Sequence, residues 1–256
     1  MTAEQVLARL RALGSERDRQ GMARYGINTA QALGVSLYKL RPLAKEIGID
    51  HGLALALWRT GVHEARMLAA FIDDPARVTE TQMERWAKGF DSWDLCDQVT
   101  TDLFDQTALA WTKAVEWSRR PEEFVRRAGF AMMAGLAVHD KAASDAAFIG
   151  LLPAIAAAAG DDRNFVKKAV NWALRNIGKR NLRLNRAALA ACKTIAAQGT
   201  RSARWIAADA RRELESPKVQ ARLRRTACRL SGRIISIQFS NSLTVRAFCR
   251  ITMADA

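Results

Sequence analysis

Apolar residues return every three to four positions through nearly the whole chain, and this constrains the fold more than any other feature. EQVLARLRAL, HGLALALWRT, HEARMLAAFI, ETQMERWAKGF, PEEFVRRAGFAMMAGLAV and RNFVKKAVNWALRNIGK each present one apolar stripe at the helical period. Strand-like alternation is absent before about residue 233. Only five prolines and fifteen glycines punctuate 256 residues, too few for a turn-rich sandwich or barrel. Pro121-Glu122-Glu123 and Asp161-Asp162 place proline or acid where helices would begin, and Gly160 and Gly178 lie where helices would end. The chain is expected to be all-α.

The helices also repeat. FVRRAGFAMM begins at Phe124, FVKKAVNWAL at Phe165 and WIAADARREL at Trp205, so the spacings are 41 and 40 residues. Each interval holds two helices and their loops, the period of HEAT and armadillo units. A helix pair cannot bury its apolar face alone, so pairs stack into a curved solenoid with a concave face. This predicts a HEAT/ARM-like solenoid over 1–225. The last stretch, 226–256, loses the helical period and reads as a basic tail of unassigned structure.

Forty Lys and Arg stand against 26 Asp and Glu, a net charge of +14. Residues 1–160 hold 19 basic and 20 acidic side chains, whereas 161–256 hold 21 and 6. An excess of that size points to a polyanionic partner, and a basic concave face could follow a duplex by its phosphates. Arg126, Arg127, Lys167, Lys168, Arg175, Lys179 and Arg180 recur near the starts and ends of the repeated helices and are the candidate phosphate contacts. Cys96, Cys192, Cys228 and Cys249 have no CxxC spacing, which suggests reduced thiols rather than a disulfide framework or a zinc site. The charged amphipathic start does not read as a signal peptide and no apolar run could span a membrane, so a cytoplasmic protein is expected.

On a helix, Trp93 and Asp97 share one face at i and i+4, while Asp94 and Gln98 share another. A carboxylate beside an indole suits a cationic ligand or transition state, but a core tryptophan beside a capping aspartate has the same spacing. Arg127 could grip a phosphate or an acid. Trp172 stands where the preceding repeat has Ala131, either filling core or projecting into a groove. Cys96 reads as a small buried residue, Trp58, Trp86, Trp111 and Trp117 as core, and Trp205 as core or at the basic face. His139-Asp140 is the nearest approach to a metal dyad, but His51 and His63 accompany it at no useful spacing, and His63-Glu64 lacks the second histidine of a zincin helix. No nucleotide-binding glycine motif or GxSxG elbow occurs. No metal and no cofactor is expected.

Four stretches in order, GMARYGI (21–27), SWDLCDQV (92–99), FVRRAGFAMM (124–133) and FVKKAVNWALRNIGK (165–179), resemble the DNA alkylation repair family of HEAT-like alkylpurine DNA glycosylases. The resemblance covers about 5–215. It implies a DNA repair hydrolase that excises cationic N3- and N7-alkylated purines from duplex DNA, opening base excision repair without flipping the damaged base. By the same resemblance, Asp97 supports cleavage and Trp93, Trp172 and Arg127 line the cleft. Arg126, Lys167, Lys168, Arg175, Lys179 and Arg180 would hold the backbone of a duplex bearing an alkylated base. The chain would act as a monomer. The alternative is a non-catalytic HEAT-repeat protein that binds damaged, bent or branched DNA.

Overall fold

The computed structural model describes residues 1–226, and among these there are helices and loops but no strand. The tail assigned to 226–256 lies outside the described residues except for its first position. Polar side chains open many of the helices. Thr2 and Gln5 form a reciprocal capping box on α1 (Ala3–Leu13). Asp50 accepts the Leu53 N–H at the start of α4 (His51–Arg59), and Thr79 the Gln82 N–H at the start of α6 (Glu80–Lys88).

From α4 onward the helices form two rows. The front row is α5 (His63–Ile72), α7 (Trp93–Asp102), α9 (Glu123–His139), α11 (Asn164–Gly178) and α13 (Arg201–Leu214), each packed on the next. Behind it run α4, α6, α8 (Ala110–Trp117), α10 (Asp145–Ala157) and α12 (Leu182–Ala197). The three repeat-bearing helices are thus neighbours in one row, as a HEAT-like solenoid requires. At the start of the chain α1, α2 (Glu16–Ala23) and α3 (Leu37–Ile47) close the stack, and residues 217–226 add a further helix at its other end.

One contiguous apolar core runs from Val6 to Leu214. Trp86 and Trp117 are fully buried within it, and Trp58 stacks flat on Trp86 at 4.1 Å between ring centroids. Of the two places expected for Trp205, the basic face is the one found: it stays 41% exposed with the Lys167 ammonium 5.2 Å from its ring centroid.

Helix α9 is the centre of the stack, and its sequence shows why. EFVRRAGFAMMAGLAVH is apolar or small on every side, so it is buried all round rather than along one stripe. A Cβ on Gly129 would lie 2.4 Å from the Ser118 nitrogen, so only glycine lets α9 seat against the end of α8.

Candidate nucleic-acid interface and active site

Trp93 is the first residue of α7, and Asp97 follows one turn later on the same face. Arg127, one turn into α9, donates from Nε to Asp97 Oδ1 at 2.9 Å and from Nη2 to Oδ2 at 2.7 Å. Its Nη1 reaches across to α11 and donates to the Phe165 carbonyl at 2.6 Å. One guanidinium therefore ties three successive front-row helices together and presents a single rotamer of the Asp97 carboxylate. The pair is nearly dry: the side chains are 13% and 6% exposed. Burial pushes the Asp97 carboxyl above its usual range, and the Arg127 charge only partly offsets that.

Three of the five N–H donors of Arg127 are committed to these bonds. That revises the expectation of a phosphate-gripping arginine: Arg127 positions Asp97 instead. Its guanidinium carbon also lies 5.9 Å from the Trp93 ring centroid. The Trp93 indole is held in turn, donating from Nε1 to the Tyr25 carbonyl at 2.9 Å.

That bond belongs to a strap that the sequence did not reveal. The GMARYGI segment starts in the last turn of α2, and residues 24–27 then pass from Trp93 of α7 toward Phe165 of α11. Gly26 adopts φ +72°, and a Cβ there would sit 3.1 Å from the Phe165 ring. Asn28 Nδ2 then donates to Asp91, which also pairs with Arg66. Glu64 is fully buried and accepts the N–H groups of Leu33, Gly34 and Val35, fixing the continuation of the strap. The residue dismissed as half a zincin motif is therefore a loop anchor.

The cations expected to share one basic face do not form one set. Lys168 is exposed near the start of α11, one turn before the half-buried Trp172, and Lys167 lies over Trp205. Arg126 is drawn to Asp161 at 3.4 Å. Arg175 pairs with Glu213 at 2.8 Å and with Asp209, and Lys179 with Glu213 at 2.8 Å. Arg180 donates to the carbonyls of Ala137 and Ala143 and lies over the Phe148 ring, at the far end of the helices. Repeat-matched position therefore did not mean a shared free face, because acids from the next repeat neutralise half of it. The first turns of α7, α9 and α11 do converge: Cys96 Sγ contacts the Phe124 carbonyl at 3.5 Å, and the Phe124 and Phe165 rings meet at 5.6 Å. Of these three N-termini, those of α7 and α9 carry Asp94 and Glu123 in their first turns, whereas that of α11 carries Lys167 and Lys168, so α11 is the one suited to an anion.

His139 pairs with Asp105 at 2.6 Å rather than with Asp140, which takes the Trp111 indole N–H. Among the described residues, no three of His, Cys, Asp and Glu are grouped to hold a metal ion. Nor is any described helix long and apolar enough to cross a membrane. Cys96 is fully buried, and burial pushes its thiol well up.

A family model described as DNA alkylation repair enzyme matches residues 6–214. A solved structure is similar over 76% of this chain and 83% of its own, with a TM-score of 0.68 and 25% identity. It is described as representing a new family of proteins related to the HEAT-like repeat DNA glycosylases, with affinity for branched DNA structures. No curated protein matches this chain.

Proposed function

We propose, for a chain that belongs to the DNA alkylation repair enzyme family, that it is a DNA glycosylase acting on cationic N3- and N7-alkylpurines in duplex DNA. The observation that carries this reading is the Asp97 carboxylate, held by both oxygens on Arg127 one helical turn from Trp93.

The chemistry follows from the substrate. An N3- or N7-alkylated purine is cationic, so it departs as a neutral base and needs little acid catalysis. Positive charge then develops on the deoxyribose as the glycosidic bond lengthens. Asp97, fixed and nearly dry, stabilises that charge and accepts a proton from the water that attacks C1′. The attacking water supplies the new C1′–O bond, and the purine leaves with the electrons of the C1′–N bond. Arg127 holds the carboxylate ionised and aimed, while the Trp93 face, and Trp172 further along α11, pack against the sugar. Lys167 and Lys168, at the N-terminus of α11, hold the backbone. The chain would do this as a monomer in the cytoplasm, and base excision repair would process the abasic site.

The test is release of free 7-methylguanine and 3-methyladenine from methylated duplex DNA, read by chromatography. The reading expects both bases to appear with the strands left unbroken, and release of neither would sink it. A second reading has one observation in its favour: the similar solved structure is described by its affinity for branched DNA. Under it, the Asp97–Arg127 pair is a structural clasp. The protein would then bind four-way junctions more tightly than linear duplex and release no base.

A further inference from the structure

Helices α7, α9, α11 and α13 carry Asp97, Arg127, Lys168 and Trp205, each as its fifth residue. Contacts between the helices keep these positions level. Arg127 bonds Asp97 across the first interface, and Lys167 lies over the Trp205 ring across the last. Trp205 therefore ends a row that begins at Asp97. With neighbouring axes about 8–10 Å apart, the two stand roughly 24–30 Å from each other, too far for Trp205 to touch a sugar at Asp97.

Trp205 is also unlike the other tryptophans. Trp58, Trp86 and Trp117 are buried, and Trp93 is tied to the strap, whereas Trp205 leaves 41% of its surface in water. Its surroundings are cationic. The Lys167 ammonium, 5.2 Å from the ring centroid, takes one face of the indole. Lys168 is exposed on α11, and Arg201 and Arg204 are exposed in the first turn of α13. The nearby acids are already engaged. Asp209, one turn after Trp205, accepts from Asn171 and pairs with Arg175 and Arg212. Asp162 accepts the Ser202 hydroxyl, and Asp161 pairs with Arg163 and Arg126. The residual charge is positive, and the N-terminus of α11 adds to it.

An exposed indole among cations fits a ligand that offers a π face and a phosphate in one unit, which is a nucleotide. Inside an intact duplex each base face is covered by its neighbours in the stack, so the faces an indole can reach belong to unpaired bases. Every base has such a face, and base–aromatic stacking is accordingly tolerant of sequence. An apolar protein segment would use the ring but not the four cations.

We propose that Trp205, with Lys167, Lys168, Arg201 and Arg204, is a stacking site for an unpaired nucleobase on a single strand that flanks the bound duplex. The site lies apart from the Asp97 chemistry and stands under either reading of the protein's function.

The experiment measures the affinity of the full chain, at one salt concentration, for three probes. They are a blunt duplex, the same duplex with an oligothymidine tail at its 3′ or 5′ end, and the same duplex with a tail of abasic residues. The abasic tail keeps the phosphates and lacks the bases. At one of the two ends the thymidine tail is expected to bind about tenfold more tightly than the abasic one. Trp205→Ala is expected to erase that difference, and Trp205→Phe to keep most of it. Blunt-duplex affinity and base release should stay at wild-type values in both variants, which also verifies that they fold. Arg201→Ala combined with Arg204→Ala should weaken both tailed probes alike. Equal binding of thymidine and abasic tails by the wild type at both ends overturns the proposal, as does a difference that survives Trp205→Ala. A Trp205→Ala loss equal for blunt and tailed probes also overturns it, since the ring would then serve paired DNA.

Discussion

Two junctions of the front row are built from the same ingredients and differ in depth. Between α7 and α9, one arginine meets one aspartate with two short bonds, and both side chains are nearly dry. Between α11 and α13, Arg175 is shared between Asp209 and Glu213, Lys179 also holds Glu213, and these side chains are 15–31% exposed. A buried pair gains little net stability over an apolar contact, yet breaking one half strands a charge. A half-exposed network rearranges, screens with salt and is worth little. The first junction is thus the expensive one, and it is placed where Trp93 and the strap converge. A dry, doubly bonded carboxylate at that place is what a preorganised site looks like.

The largest test of that contrast is Arg127→Ala, which leaves Asp97 buried and unpaired. It is expected to cost about 3–5 kcal/mol in urea unfolding, together with nearly all base release. A loss no larger than a surface pair gives would erase the difference between the junctions.

The pH dependence of Asp97 comes next. Its carboxyl titrates above the usual carboxylate range because it is buried. The native state therefore keeps the proton where the unfolded chain has lost it. Its stabilising contribution is present below the unfolded value and is lost as pH rises through the native one. Base release needs the ionised form and should rise across the same window. Chemical unfolding and single-turnover rates measured side by side should show opposite slopes, and Asp97→Asn should abolish both.

A smaller effect is expected from Lys168→Ala. Affinity for duplex DNA should fall uniformly across sequences, and the logarithmic salt slope should shrink by about 1. The smallest effect belongs to Arg175→Ala at the partly exposed junction: about 0–1 kcal/mol, diminishing further in high salt, with base release unchanged.

Much of this was legible in the sequence. Apolar periodicity located the helices, the interval near 40 residues identified the row that α9, α11 and α13 share, and the i, i+4 spacing put Trp93 and Asp97 together. The cross-helix partners were hidden, because a helical face does not say what its neighbour offers. A usable signal existed nonetheless. In a solenoid, a residue meets those about one repeat away, and Arg127 to Phe165 and Asn171 to Asp209 both span 38 positions. Moving one repeat forward from Arg175 would have exposed Asp209 and Glu213, and with them the neutralised half of the basic face. The strap was beyond such reasoning, since its main bond to α7 is made by the Tyr25 carbonyl, which any residue could supply.

The most direct test of the central claim is the single-turnover rate of 7-methylguanine release from a defined duplex, for wild type and Asp97→Asn at equal DNA occupancy. The account predicts measurable release by the wild type and a loss of about 100- to 1000-fold in the variant, with affinity preserved. Equal rates, or no release by either while DNA stays bound, would contradict it.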